Sequence, residues 1–271
     1  MEKLQRLNLP DLPLRRDNTH KYDYGSLLII GGSSSYLGAP ILTGAAAFRL
    51  GTGLVTIALP EQLYQRYQPT YPSLIIRPFA SLEALRTLLE QATAVVFGPG
   101  IDKDNSQNKD ILLLLFESQL PLLIDASGLD ILKMIKREDY HDRDFILTPH
   151  LGEARRLLDG KNPMEFYDEL IYKRNVLILK GPVTIIGSQK HRFLADRGSS
   201  AMAKAGMGDV LSGIIGSLLA QGYSSLDAAK LGVYLHQSAA KFAVETRGDI
   251  SLMSEDVIDS IPEAIKEIKK K

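Results

Sequence analysis

Seven short stretches of this 271-residue chain are built around unbroken runs of apolar residues. They are SLLII (26–30), LVTIAL (54–59), SLIIR (73–77), AVVF (94–97), PLLID (121–125), DFILT (144–148) and VLILK (176–180). A strand with one wet face alternates apolar and polar residues, whereas continuous Ile, Val and Leu need cover on both faces. Between the runs lie segments with helical spacing: LGAPILTGAAAFRLG (37–51), SLEALRTLLEQA (81–92), NKDILLLLFESQ (108–119) and GEARRLLDG (152–160). Strand and helix in alternation predict an α/β fold, a mostly parallel sheet with helices on both faces.

The pattern changes after Asn175. VLILK and VTIIG are separated only by Gly181 and Pro182, and HRFLA follows after another short gap. Connections that short permit hairpins and not crossovers, so the sheet is expected to gain an antiparallel edge. Two helices are expected to close the chain, over 209–222 and 225–248, each ending at glycine. No internal repeat or low-complexity linker interrupts the order. One domain over 1–271 is expected, with its core at about 24–250.

Composition excludes several functions. Lys plus Arg number 32 and Asp plus Glu number 32, so no net field draws nucleic acid or an anionic membrane. Cysteine is absent, which removes disulfides, thiolate metal sites and cysteine nucleophiles. The opening MEKLQRLNLPDLPLRRDN is charged and broken by prolines, unlike a secretory signal. No apolar run reaches the roughly 18 residues that span a bilayer. The terminal KEIKKK reads as a solvated end. A soluble, cytoplasmic protein without nucleic-acid or membrane partners is expected.

The expected strands end in small or polar residues: Gly31 and Gly32, Gly98 and Gly100, Asp125, and Thr148 to His150. In an open parallel sheet the carboxyl ends of the strands share one edge, where ligands bind. GGSSSYLGA matches neither the dinucleotide fingerprint G-x-G-x-x-G nor a P-loop, and by itself reads as a βα turn. AGMGDVLSG (205–213) carries more information. Gly206 and Gly208 permit close backbone approach, and the amides of the following helix start, at Gly206, Met207 and Gly208, form a candidate anion hole. Behind them Val210, Leu211, Ile214, Ile215, Leu218 and Leu219 form an apolar stripe, while Ser212, Gly213, Gly216 and Ser217 leave room for close packing.

Asp209 has two readings, a helix cap or a general base for a hydroxyl that attacks phosphorus. His150 is either a ligand contact or a satisfied loop histidine. Glu153 either offsets the dipole of its helix or is a candidate metal ligand. Asp125 either turns the chain or helps hold hydrated Mg²⁺. His20, His141, His191 and His236 show no zinc-ligand spacing.

Taken together, six segments resemble the NAD(P)H-hydrate dehydratase family, a branch of the ribokinase-like superfamily. In order they are GGSSSYLGAPILTGAAAFRLGTGLVT (31–56), FGPGI (97–101), LIDASGL (123–129), LTPHLGEARRLL (147–158), LILKGPVTII (177–186) and MAKAGMGDVLSGIIGSLLAQG (202–222). The resemblance runs from about Tyr24 to Val244 and implies a ribokinase-like three-layer sandwich. It implies a lyase that repairs hydrated NADH and NADPH (NADHX and NADPHX): a nucleotide phosphorylates the ring hydroxyl, and loss of phosphate restores the double bond. ADP is the co-substrate expected from bacterial members and ATP that of eukaryotic ones, with Mg²⁺ between the phosphates. Ala39, Gly100, His150 and Asp209 are implied contacts of the dinucleotide. Lys180, Gly181, Pro182, Val183, Thr184 and Gly208 are implied contacts of the nucleotide, and Asp209 is the implied base. Members often form tetramers. No fused epimerase region is read here, so a separate NAD(P)HX epimerase is the expected functional partner.

The chain departs from the family pattern in three places. Ser127 stands where a second acid is usual, Leu151 where proline is common, and Gly198-Ser199-Ser200 where the loop commonly begins Gly-Asn. Two readings compete: an ATP-dependent kinase of a vitamin-precursor alcohol, which needs the same G-x-G-D base, and a catalytically silent nucleotide-binding protein, against which the retained Asp209 argues.

Overall fold

The computed structural model describes residues 1–12, 15–67, 71–140 and 142–269. His141 therefore lies outside the described residues. The strands are β1 (Glu2–Lys3), β2 (Ser26–Ile30), β3 (Leu54–Pro60), β4 (Ile75–Phe79), β5 (Ala94–Phe97), β6 (Leu122–Ile124), β7 (Phe145–Leu147), β8 (Val176–Leu179), β9 (Thr184–Gly187) and β10 (Arg192–Ala195). The helices are α1 (Gly38–Leu50), α2 (Glu61–Tyr64), α3 (Leu82–Leu89), α4 (Gln107–Glu117), α5 (Ser127–Leu132), α6 (Leu151–Leu157), α7 (Met207–Ala220), α8 (Ser225–Arg247), α9 (Ser254–Asp259) and α10 (Ile261–Lys269).

The strands form one sheet in the order β1-β10-β9-β8-β7-β6-β5-β2-β3-β4. From β8 to β4 every neighbour is parallel, and β9 pairs antiparallel with both β8 and β10. The hairpins after Asn175 thus form near one edge, as their short connections require. The short N-terminal β1 then adds outside β10, in parallel.

Both faces of the sheet are covered, which explains the unbroken apolar runs. Along β2, Leu27 and Ile29 pack under α1, α7 and α8 with α9 and α10, while Leu28 and Ile30 pack under α3 to α6. Helix α7 is buried along its length from Val210 to Ala220. Its small residues face neighbours at close range. A side chain on Gly213 would reach the Thr43 carbonyl oxygen of α1 at 2.1 Å, and one on Gly216 would reach Val96 of β5 at 2.5 Å. Ser217 completes this face by accepting a hydrogen bond from Thr52 at 2.7 Å.

Two expectations need correction. The strand expected over 73–77 begins two residues later, at Ile75, because the neighbouring β3 sets the register by pairing Thr56 with Ile75. The chain does not close with α8. Two further helices follow, and most of KEIKKK belongs to α10. Ile261 and Ala264 of α10 are buried, with Ile265 and Ile268 packed beside them, a spacing of one helical face. Lys266 and Lys269 are exposed on the remaining face. The core accordingly extends past 24–250 to Leu4 on one side and to Leu252, Val257, Ile258, Ile261 and Ala264 on the other.

The tight contact between α1 and α7 makes a clear prediction. Gly213→Ala should cost about 2 kcal/mol or more in chemical denaturation, because backbone and not a flexible side-chain end must yield. Gly38→Ala, where nothing lies within 4 Å of the added carbon, should stay within about 0.5 kcal/mol of the parent.

Candidate functional site

The parallel strands β2, β5, β6, β7 and β8 bring their carboxyl ends to one edge. Gly98, after β5, lies against Asp125, after β6: a side chain there would meet the Asp125 carbonyl oxygen at 1.9 Å. The backbone after β7 continues beside the end of β8, with Lys180 donating its backbone N–H to the Pro149 carbonyl at 2.8 Å. Ala39 and Gly100 are also brought together, with 3.1 Å between the Ala39 Cβ and the position a Gly100 Cβ would occupy.

Helix α7 points its N-terminus into this edge. Gly206 occupies the N-cap with φ 87°, a left-handed conformation that favours glycine, and no side chain caps the amides behind it. A side chain at Gly206 would strike Ser254 Oγ at 2.7 Å and Leu42 Cδ1 at 2.8 Å. The loop is held from outside by Lys204, whose Nζ donates to the Ile250 carbonyl at 2.5 Å and the Leu252 carbonyl at 2.7 Å. Where the family's asparagine is missing, Ser199 Oγ accepts from the Ala201 amide at 3.2 Å and caps the short turn Ser200–Met202.

Asp209 sits in the first turn of α7 and is not its N-cap. Burial, with the charge of Asp125 adding to it, pushes the Asp209 carboxyl up to about 7, against the opposing pull of Lys180. A group titrating near neutrality can take a proton and release it again under ordinary conditions.

Beneath the helix start lies a buried ion pair. Asp125 is 1% exposed; its Oδ1 accepts from Lys180 Nζ at 2.9 Å and its Oδ2 from Ser212 Oγ at 2.7 Å. Burial opposes the charge on Asp125, yet Lys180 and hydrogen bonds from Ser212, Lys180 and Thr148 outweigh it and hold the carboxyl below its usual range. Burial likewise opposes the charge on Lys180, and Asp125 and Glu153 more than restore it, leaving the ammonium above its usual range. The Lys180 Nζ lies 3.3 Å from where a Gly208 Cβ would stand. A fixed positive charge thus adjoins the candidate anion hole.

A cavity of about 590 Å³ opens beside this pair. Of the residues singled out from the sequence, His150, Lys180, Gly181, Pro182, Thr184, Met207 and Gly208 line it. Val183 is not in the lining and is 46% exposed, and Ala39 and Gly100 also lie outside it. The cavity walls also include Met202 and Leu211 from the last of the six segments, and Val233, His236 and Gln237, which lie outside all of them. His236 is buried; burial and the charge of Lys180 push it down to about 4, against a contact with the Met207 backbone, so it is neutral. A groove of about 770 Å³ between the N-terminal segment and α10 is larger but shares none of these residues.

His150 N-caps α6. Its Nδ1 accepts from the amides of Gly152 at 2.9 Å and Glu153 at 3.2 Å, so in the neutral ring Nε2 carries the proton. Glu153 returns the contact, its Oε2 accepting from the His150 amide at 2.8 Å. It completes a capping box and its Oε1 lies 3.5 Å from His150 Nε2. Among the described residues no three His, Asp or Glu side chains come together as a metal cage. Both oxygens of Asp125 are already bonded, so its reading as a holder of Mg²⁺ is not supported by its contacts, and Glu153 as a metal ligand would stand alone.

Comparisons with known proteins agree on one family. The family model described as NAD(P)H-hydrate dehydratase matches residues 27–263. The bifunctional NAD(P)H-hydrate repair enzyme Nnr of Coxiella burnetii is 38% identical over 256 residues, covering 92% of this chain and 52% of that protein. The chain spans about half the length of the curated relatives it matches. The ADP/ATP-dependent NAD(P)H-hydrate dehydratase of Bacillus subtilis, crystallised with ATP/Mg²⁺, superposes with a TM-score of 0.80 at 26% identity, covering 97% of this chain and 96% of that one. Arabidopsis thaliana ribokinase, at 12% identity, shares the fold, with a TM-score of 0.56 over 89% of this chain and 99% of its own.

The raised Asp209 has a consequence for stability. Its proton is held more firmly in the folded chain than in the unfolded one, so its contribution is fully present below the ordinary carboxylate range and lost as pH rises through about 7. Asp209→Asn removes that loss. At pH 8 the variant should be more stable than the parent by about 1–3 kcal/mol, with the difference closing by about pH 4. Urea titrations at both pH values check this, and equal stabilities at pH 8 would contradict an unpaired buried carboxylate.

Proposed function

The chain belongs to the NAD(P)H-hydrate dehydratase family, and on that premise we propose that it dehydrates hydrated NADH and NADPH in an ADP-dependent reaction. The observation that carries this reading is Asp209: a carboxyl poised near neutrality, in the first turn of a helix whose leading amides no side chain caps. Asp209 takes the proton of the ring hydroxyl as that oxygen attacks the terminal phosphorus of ADP. The bond from this phosphorus to the bridging oxygen breaks, and AMP leaves. Loss of the new phosphate ester, with a proton from the neighbouring ring carbon, restores the double bond and releases phosphate.

The amides of Met207 and Gly208 face the phosphoryl oxygens, where negative charge builds, and the dipole of α7 adds to them. Lys180 supplies a fixed cation at the same place. The nucleotide is proposed to enter the 590 Å³ cavity along Lys180 to Thr184, with its base toward Met202, Leu211 and Val233. Ala39 and Gly100 are proposed to hold the dinucleotide on the other side of the α7 start, with His150 offering its Nε2–H at the mouth of the cavity. Mg²⁺ would offset phosphate charge; it is proposed to arrive with the nucleotide, since among the described residues no three His, Asp or Glu side chains come together to hold it.

An NAD(P)HX epimerase is the proposed functional partner, the assembly a homo-oligomer, expected as a tetramer, and the compartment the cytoplasm. No helix among the described residues is long and apolar enough to cross a membrane. The competing kinase reading uses the same base and the same helix start, and nothing in the site favours it.

Asp209→Asn should lower turnover by about 10²–10⁴-fold while changing the dissociation constant for ADP less than about threefold. Recovery of reduced-nicotinamide absorbance measures the first and calorimetric titration the second. Near-normal turnover in this variant would remove Asp209 from the chemistry.

A further inference from the structure

Asp125 lies one residue past β6 and is almost fully buried, and its two oxygens join three elements. Oδ1 holds Lys180 at the end of β8, and Oδ2 holds Ser212 of α7. Its own carbonyl oxygen is fixed against Gly98 beyond β5, and the next residue, Ala126, adopts φ 49°, an uncommon conformation for a side-chain-bearing residue. The position is thus determined from four directions.

Lys180 is the cation this arrangement controls. Its ammonium feels three carboxylates, Asp125, Glu153 and Asp209, but makes its direct contact with Asp125 alone. Asp209, adjacent in sequence to Gly208, makes no hydrogen bond or ion pair among the described contacts. A lysine free to choose between two buried acids would settle between them, and a base paired to a cation holds its proton poorly.

We infer that Asp125 is a positioning residue that pins the Lys180 ammonium at Gly208, beside the anion hole, and so keeps Asp209 unpaired. This inference deepens the proposed reaction and rests on Asp209 being its base. The acid is not placed against substrate; it acts by holding Lys180, and its own charge adds to the rise of the Asp209 carboxyl. Ser212 fixes the carboxylate from the opposite side, so the lysine cannot pull it toward Asp209.

The other charged groups near Asp209 do not supply this control. His236, from α8, is neutral. Glu153, from α6, is bonded to the His150 amide and acts on Lys180. On α9, Glu255 accepts from Ser254, and Asp256 accepts from the Met253 amide and Arg247. Only Asp125 and Lys180 act directly on the Asp209 carboxyl, and they act with opposite sign.

The test is a carbon-13 carboxyl titration of the full chain labelled at aspartate, with the Asp209 resonance identified by its absence in Asp209→Asn. In the parent the midpoint is expected near 7. Asp125→Asn keeps the shape of the side chain but releases Lys180, and the Asp209 midpoint should fall to about 6 or lower. Lys180→Met should move it the opposite way, above the parent value. The fall in Asp125→Asn should be much smaller when Lys180→Met is already present; an equal fall in both backgrounds shows the charge of Asp125 acting by itself and overturns the inference, as does an unmoved midpoint in Asp125→Asn, whatever happens to turnover. Should Asp125→Asn fail to fold, the Lys180→Met titration decides: a midpoint that does not rise overturns the inference. Turnover of Asp209→Asn is measured alongside. Retained turnover there defeats the base reading itself, whereas an inactive Asp209→Asn with an unmoved midpoint in Asp125→Asn defeats only the positioning role.

Discussion

The buried contact between Asp125 and Lys180 is the interaction on which the rest of the site depends. It joins residues 55 positions apart in the chain, at the ends of two strands separated in the sheet only by β7. Breaking such a pair by removing one partner leaves a charge stranded in the interior, which costs several kcal/mol, about 3–5 in comparable cases. The pair is therefore tolerated only where each partner is fully engaged. Ser212 meets that requirement for Asp125, and in doing so it ties the first two turns of α7 to the sheet.

From that anchor the remaining geometry follows. Helix α7 packs on the sheet between α1 and α8, close enough to α1 that only glycine fits at position 213. Its first amides emerge at the carboxyl edge of the sheet, unblocked because the N-cap is glycine. The result is a helix start with uncapped amides, a cation beneath it and a half-buried acid in its first turn. Each element is ordinary. Their coincidence at one point concentrates positive potential at the helix start, with a carboxyl raised to about 7 beside it, as the proposed phosphoryl transfer requires.

Much of this was legible in the sequence, and the reason differs from part to part. The unbroken apolar runs determine a sheet covered on both faces, and the two-residue gap at Gly181 and Pro182 determines the hairpin. Gly206, Gly208 and Asp209 announced a helix start but left Asp209 open between a cap and a base; the structure puts Gly206 at the cap and Asp209 in the first turn. The small residues of α7 likewise foretold its close packing. The Asp125–Lys180–Ser212 network was not legible, since nothing in a linear spacing of 55 and 87 residues marks a contact. His236 was missed for the same reason: its significance comes from lying beside Met207 and Lys180, not from its neighbours in sequence. The closing helices were overlooked because the lysines at the terminus masked the apolar face of Ile261, Ala264, Ile265 and Ile268. Lys204, without explanation in the sequence, proves to hold the glycine loop to the carbonyls before α9.

The account stands or falls on whether phosphorylation at this site ends in elimination. The most direct measurement supplies hydrated NADH and ADP to the purified chain and follows reduced-nicotinamide absorbance together with AMP and inorganic phosphate. Equal amounts of NADH, AMP and phosphate, appearing together, are the expected result. A phosphorylated product that accumulates without return of the nicotinamide band, or no reaction while a small alcohol is phosphorylated from ATP, would contradict it.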